Sequence, residues 1–178
     1  MLEMRAAWTS VWAPLAFALS VGALEAGVVV AAEPLPPPEG PVLLVVSGNL
    51  EVTNSPHGAQ FDREMLYGLG LTAVDTTTAW TDGVQAFEGV LLSAVLDRVG
   101  AHGTTITATA INDYEARIPF EDAATYEVLL AAKMNGTEMT VRDRGPLWVV
   151  YPRDAYPVLM EPLFNDRWVW QLREIRVE

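Results

Sequence analysis

The sequence predicts an α+β domain built on a mixed β-sheet or a partly closed barrel, and three observations predict it. Short runs of β-branched or alternating apolar residues recur along most of the chain. Only two or three stretches place apolar residues at helical spacing, and all of them are short. No regular strand–helix–strand alternation appears, which sets aside a doubly wound parallel sheet.

In chain order, residues 42–46 form an apolar run that stops at Ser47-Gly48 and reads as a buried strand. Asn54-Ser55-Pro56-His57-Gly58 is a turn cluster. Asp62 is placed to cap a short helix in which Phe61, Met65, Leu66 and Leu69 share a face, with Gly70 as its stop. Residues 71–78 predict a strand, Asp82-Gly83 a turn, and residues 84–87 a second strand. Within 89–99, Val90, Leu91, Ala94, Val95 and Val99 fall at helical spacing before Gly100. Ile106, Ala108 and Ala110 alternate with threonines through 104–111; Asn112-Asp113-Tyr114 then turns the chain into a return strand at 116–118. Residues 128–134 and 138–141 flank Asn135-Gly136, the strongest hairpin signal in the chain. Residues 147–151 predict another buried strand. Trp168, Trp170 and Leu172 keep period two, and the phase then shifts to Ile175 and Val177, which predicts a bulged last strand.

The first 32 residues read as an address rather than as part of the fold. Arg5, the apolar run 11–24 and the small residues ending Val30-Ala31-Ala32 follow the order of a secretory signal peptide, with cleavage expected after Ala32 and a periplasmic destination. A retained transmembrane anchor competes, because the apolar stretch approaches the ~20 residues needed to span a bilayer. With no Cys there is no lipoprotein anchor. Pro34, Pro36, Pro37 and Pro38 make 33–41 a stiff, solvated leader, and 42–178 is then a single domain.

Composition narrows the chemistry. Eleven Lys and Arg against 23 Asp and Glu give a formal charge of −12 and no basic stripe, which argues against nucleic acid or an anionic membrane surface as partner. The lack of cysteine removes disulfide partners, iron–sulfur ligation, thiol nucleophiles and cysteinyl zinc. His57 and His102 both sit in turn-like contexts and are too few for a three-histidine metal site. No Gly-x-Ser-x-Gly elbow supports a serine triad. Glu121-Asp122 reads as a helix N-terminus rather than an acid–base pair. A site must therefore be built from oxygen donors, amides, guanidinium groups and aromatics.

Three stretches qualify. Thr76-Thr77-Thr78-Ala79-Trp80-Thr81-Asp82-Gly83 offers three hydroxyls and a stacking surface at a strand end. Threonines are also good strand formers and Trp80 is equally a core residue. Asn112-Asp113-Tyr114 is an ordinary turn tripeptide, or a clamp for a planar heterocycle with paired N–H donors. Arg142-Asp143-Arg144-Gly145-Pro146-Leu147-Trp148 places two guanidinium groups and an aromatic around a turn. They suit a phosphate, a carboxylate or a ring, or else surface pairing with this protein's many carboxylates.

Taken in order, residues 76–83, Phe87-Glu88-Gly89-Val90-Leu91-Leu92, Asn112-Asp113-Tyr114 with Ile118-Pro119, Leu130-Ala131 with Asn135-Gly136, and residues 145–152 resemble the oxidoreductase molybdopterin-binding domain, the sulfite-oxidase-like fold. The resemblance runs from about Val42 to Val177. It implies a pterin pocket between the Thr/Trp loop, the Asn-Asp-Tyr loop and the Gly-Pro turn. In catalytic members of that family a cysteine thiolate ligates molybdenum four residues before the equivalent of Trp80, and this chain has Thr76 there. A neutral hydroxyl is a poor replacement for a soft thiolate, so no metal is expected and oxygen-atom transfer is not the expected activity. The Cys-less chain resembles periplasmic pterin-binding proteins that signal occupancy to a membrane cyclic-di-GMP enzyme, a diguanylate cyclase or phosphodiesterase. On that resemblance the cofactor is a metal-free pterin, with molybdopterin as the other candidate. Trp80, Tyr114 and Trp148 would wall the ring, Asp113 or Asn112 would read its 2-amino-4-oxo edge, and Asn54 with Thr76, Thr77 and Thr78 would bond the ring or its side chain. Arg142, Arg144 and Gly145 would form the remaining side. Two rivals stand: a molybdopterin-dependent oxidoreductase with a non-Cys metal ligand, and an interaction module that kept the fold and lost its ligand.

Overall fold

The computed structural model describes residues 33–178. The expected signal segment, 1–32, lies outside the described residues. Two five-stranded sheets carry the fold, with four short helices at their margins.

The first sheet contains β1 (Leu44–Gly48), β2 (Ala59–Phe61), β5 (Thr105–Ala110), β6 (Glu115–Pro119) and β10 (Leu172–Val177), in the order β2-β1-β10-β5-β6. β1 and β10 run parallel, and the other neighbours are antiparallel. The second sheet contains β3 (Thr72–Thr76), β4 (Gln85–Leu91), β7 (Leu129–Met134), β8 (Thr137–Glu138) and β9 (Trp148–Val150). β3, β4 and β7 pair in turn, and β8 and β9 each pair with a different part of β7. The sheets are joined by backbone between β9 and the run into β10. Trp148 and Trp170 form a bridge, Val149 N–H donates to Val169 O at 2.9 Å and Leu172 N–H donates to Leu147 O at 2.9 Å. The result is a mixed α+β fold that is partly closed, as the sequence predicts, and not a sealed barrel.

Asp62 caps α1 (Arg63–Tyr67), accepting from Met65 N–H at 2.9 Å. Its other carboxylate oxygen accepts from Glu39 and Gly40 N–H, both at 2.8 Å. The proline-rich segment is largely exposed, as expected of a leader, but it is also fastened to the domain. Leu35 is buried, Asn54 Nδ2 donates to Pro36 O at 2.7 Å, and Arg98 donates to the carbonyls of Glu33 and Pro34 at 3.1 and 3.0 Å. Pattern alone missed this because Asp62 and Arg98, which hold the segment, lie far from it in sequence.

Two further boundaries differ from expectation. α2 (Leu92–Arg98) starts three residues later than the apolar spacing suggests. Strand pairing wins at Gly89, where β4 shifts register and a Cβ would sit 2.0 Å from Leu130 O. The Asn135-Gly136 hairpin forms with both residues at positive φ, as a tight primed turn requires. Its return strand ends at Glu138, and residues Val141–Asp143 turn into a 3-10 helix capped by Thr140 instead of continuing the strand. The last strand does carry its bulge, between Leu172 and Glu174.

Backbone hydrogen bonds hold the Asp62 carboxyl below its usual range. Because the folded value is the lower one, this stabilisation is present above the unfolded pKa of about 3.9 and is lost as pH falls through the folded value. Asp62→Ala is expected to lower the thermal midpoint at pH 7, with the gap to the parent closing below about pH 4; a pH-independent gap in thermal melts would count against this account. Gly89→Ala is expected to destabilise by on the order of 2 kcal/mol in urea unfolding, since strand backbone opposite must move.

Candidate functional site

Aromatic residues from three places meet at one end of the sheets. Trp80 comes from the loop after β3, Trp148 opens β9, and Trp168 and Trp170 lie on the run that joins the sheets. Ring centres of Trp80 stand 5.4 Å from Trp168, 5.6 Å from Trp170 and 6.4 Å from Trp148. All are tilted or edge-on arrangements of the kind aromatic pairs prefer.

Against this cluster opens a cavity of about 290 Å³, walled by Trp80, Trp168, Trp170, Asn112, Tyr114 and Asp166 with Ala110 and Asn165. It is at the small end for a ligand site, mostly apolar, with a few polar groups placed at its rim. Asn112 Oδ1 accepts from Tyr114 N–H at 3.2 Å, and the Tyr114 hydroxyl donates to Asp166 O at 3.2 Å. The Asp166 carboxylate has no protein partner among the described residues. A carboxylate so placed can accept two parallel N–H bonds from a planar heterocycle. Beside it, a larger groove of about 590 Å³ runs between β6 and α4 (Pro162–Asn165) and shares Tyr114 and Asp166 as walls.

The residue between two walls is an anchor. Arg167 donates to Asp122 at 2.5 Å, and the Tyr151 hydroxyl donates to the same carboxylate oxygen at 2.8 Å. Asp122 is buried at the start of α3 (Asp122–Thr125), and Arg167 is largely covered. Burial, then the adjacent Asp122 charge, pushes the Tyr151 phenol well above its ordinary pKa, so it stays a donor at every working pH.

The structure brings together three of the residues the sequence singles out: Trp80, Asn112 and Tyr114. The others lie elsewhere. Trp148 is fully buried behind the walls rather than among them. Asp113 points away, exposed, and pairs with Arg173 at 2.6 Å. Thr76 is buried; its hydroxyl donates to Thr77 O at 3.3 Å and accepts from Asp154 N–H at 3.2 Å. Thr77 donates its N–H and hydroxyl to the Asp154 carboxylate at 2.7 and 2.5 Å, and Thr78 bonds within its own loop to Thr81 Oγ1 and Trp80 N–H. Arg144 donates to Trp80 O at 3.0 Å with its guanidinium 5.3 Å from the Trp148 ring centre, so it holds the Trp80 loop. Gly145 is required where a Cβ would lie 2.1 Å from Met139 O. Arg142 is exposed beyond the cavity, and Asn54 spends its amide on Pro36 and Gln60. Sequence reading missed Asn165, Asp166, Trp168 and Trp170. Trp-x-Trp is the available signal, and its period-two spacing reads equally as strand packing.

A molybdenum-bearing cofactor is a poor fit to these donors. The position expected to ligate the metal is a threonine whose hydroxyl is enclosed and already bonded twice. Among the described residues no group of three or more His, Asp or Glu could hold a metal ion.

The family description "Oxidoreductase molybdopterin binding domain" matches residues 65–156, just over half of the chain. Among solved structures, the sulfane dehydrogenase SoxCD from Paracoccus pantotrophus is similar at a TM-score of 0.56 and 21% identity. That match covers 75% of this chain and 37% of the other, and it speaks for the fold. No curated protein matches.

Asp122→Ala leaves Arg167 and the Tyr151 hydroxyl without their shared acceptor and is expected to cost about 3 kcal/mol in urea unfolding. A cost near zero would show that the trio does not anchor the wall.

Proposed function

The chain belongs to the oxidoreductase molybdopterin-binding domain family, and from that premise we propose that it is a non-catalytic binding protein for a metal-free pterin. The observation that carries the reading is the pairing of a tryptophan-walled cavity with a replaced, enclosed metal-ligand position in one chain. Stacking on Trp170 and a forked contact from the 2-amino group and ring N–H to Asp166 would hold the ring. Asn112 supplies a further amide at the rim. On this reading, binding itself is the output.

The rest of the proposal is cellular. The amino-terminal segment directs the protein to the periplasm, and occupancy is reported there to a membrane-bound cyclic-di-GMP enzyme. The order of charged, apolar and small residues before Glu33 supports the first part, and the resemblance of a Cys-less chain to periplasmic pterin sensors supports the second.

Titration of the purified domain with tetrahydropterin, followed by tryptophan fluorescence, tests the reading. Saturable quenching at micromolar ligand is expected, and no response at high micromolar concentration would sink it. Trp170→Ala and Asp166→Asn are each expected to weaken binding at least tenfold, whereas Asp113→Ala and His57→Ala should leave it within twofold. Protein isolated from its own host should contain no stoichiometric molybdenum by elemental analysis; one metal per chain would favour the oxidoreductase reading instead.

A further inference from the structure

We propose that Trp148 is a ligand-reading donor, and that the occupied pocket is deeper than the cavity described above, reached when the Trp80 ring swings aside. The inference rests on the ring-binding proposal and names how that same site selects its ligand. Trp148 is completely buried, yet its indole N–H has no hydrogen-bond partner. Unpaired buried donors are rare in folded proteins and carry a desolvation penalty, so each asks for an explanation. Arg153 Nε is the other such side-chain atom among the described residues, and Arg153 does not line the cavity.

The place of Trp148 supplies the explanation. Its ring packs on Trp80, Trp168 and Trp170, with centres 6.4, 5.9 and 6.3 Å away, and these are the three indole walls of the cavity. It is therefore the layer immediately behind the wall. The three plates are not held alike. Trp168 is buried, and its run is stitched to β9 by the Val149–Val169 hydrogen bond and the Trp148–Trp170 bridge. Trp80 lies on a loop outside both sheets, half-buried, and its backbone is held by the hydroxyl of Thr78 and the side chain of Arg144. Rotation of its side chain breaks neither contact, because both involve backbone atoms of Trp80. With the ring aside, the Trp148 indole would border the cavity, and a ligand acceptor there would satisfy its unpaired N–H. The matching ligand feature is a carbonyl oxygen on the ring, such as the 4-oxo group of a pterin. Asp166 takes the 2-amino and N3–H donors that adjoin this carbonyl, so one edge of the heterocycle is read by both residues.

The test compares pterin with 4-thiopterin, in which sulfur, a weak acceptor, replaces the carbonyl oxygen while the 2-amino and N3–H donors to Asp166 are kept. The parent protein is expected to prefer pterin by at least tenfold, and Trp148→Phe to reduce that preference to less than threefold. If Trp148→Phe weakens both ligands equally, Trp148 only supports the wall and the proposal is overturned while ring binding stands. If neither ligand binds the parent, the ring-binding proposal falls as well. Should the variant fail to fold, the indole protons of the parent give the answer by nuclear magnetic resonance, assigned through Trp80→Phe, Trp168→Phe and Trp170→Phe. A downfield move of the Trp148 signal with pterin, larger than with the thio analogue, supports the donor; an unmoved signal under saturation, or an equal move with both ligands, overturns it.

Discussion

Everything at the ligand end depends on a few backbone hydrogen bonds between β9 and the five residues that precede and enter β10. Trp148 pairs with Trp170, Val149 with Val169 and Leu147 with Leu172, so one short run belongs to both sheets. Two sheets that met only through side chains would be free to slide by a fraction of a residue. Backbone pairing fixes register, and register decides which side chains face the core. Without this seam the tryptophans would be scattered apolar residues; with it they become a wall.

A second dependence is an exchange of roles at the end of β3. Where the family resemblance leads one to expect a thiolate facing a metal, Thr76 is turned into a hydrogen-bonded joint with the 153–156 loop. Asp154 completes it through two bonds to Thr77. In this chain the position therefore serves architecture, tying the end of β3 to that loop.

Most of the fold was legible in the sequence. Strand runs, the Asp62 cap, the Asn135-Gly136 hairpin and the final bulge are local events written in adjacent residues. What was illegible depended on partners distant in sequence. The Asp62 and Arg98 contacts that fasten the proline-rich segment join residues more than 20 positions apart. The late start of α2 follows from a strand neighbour, Leu130, across from Gly89. The site divides in the same manner. Trp80, Asn112 and Tyr114 announce themselves as unusual residues in turns. Asp166 looks like any acidic surface residue of a chain with 23 of them, until the seam and the Asp122 anchor place it at the cavity rim.

The alternation along 166–170 has a consequence for how such a site can change. Asp166, Trp168 and Trp170 line the cavity, while Arg167 bonds Asp122 and Val169 is buried. Holding and reading are thus assigned to alternate residues of one short segment. The three cavity positions are not equally free to change: Trp168 is buried among other aromatic rings, Trp170 pairs with β9, and Asp166 is exposed. Under the proposed function, Asp166 is the position at which a new ligand preference can arise with least cost to the fold.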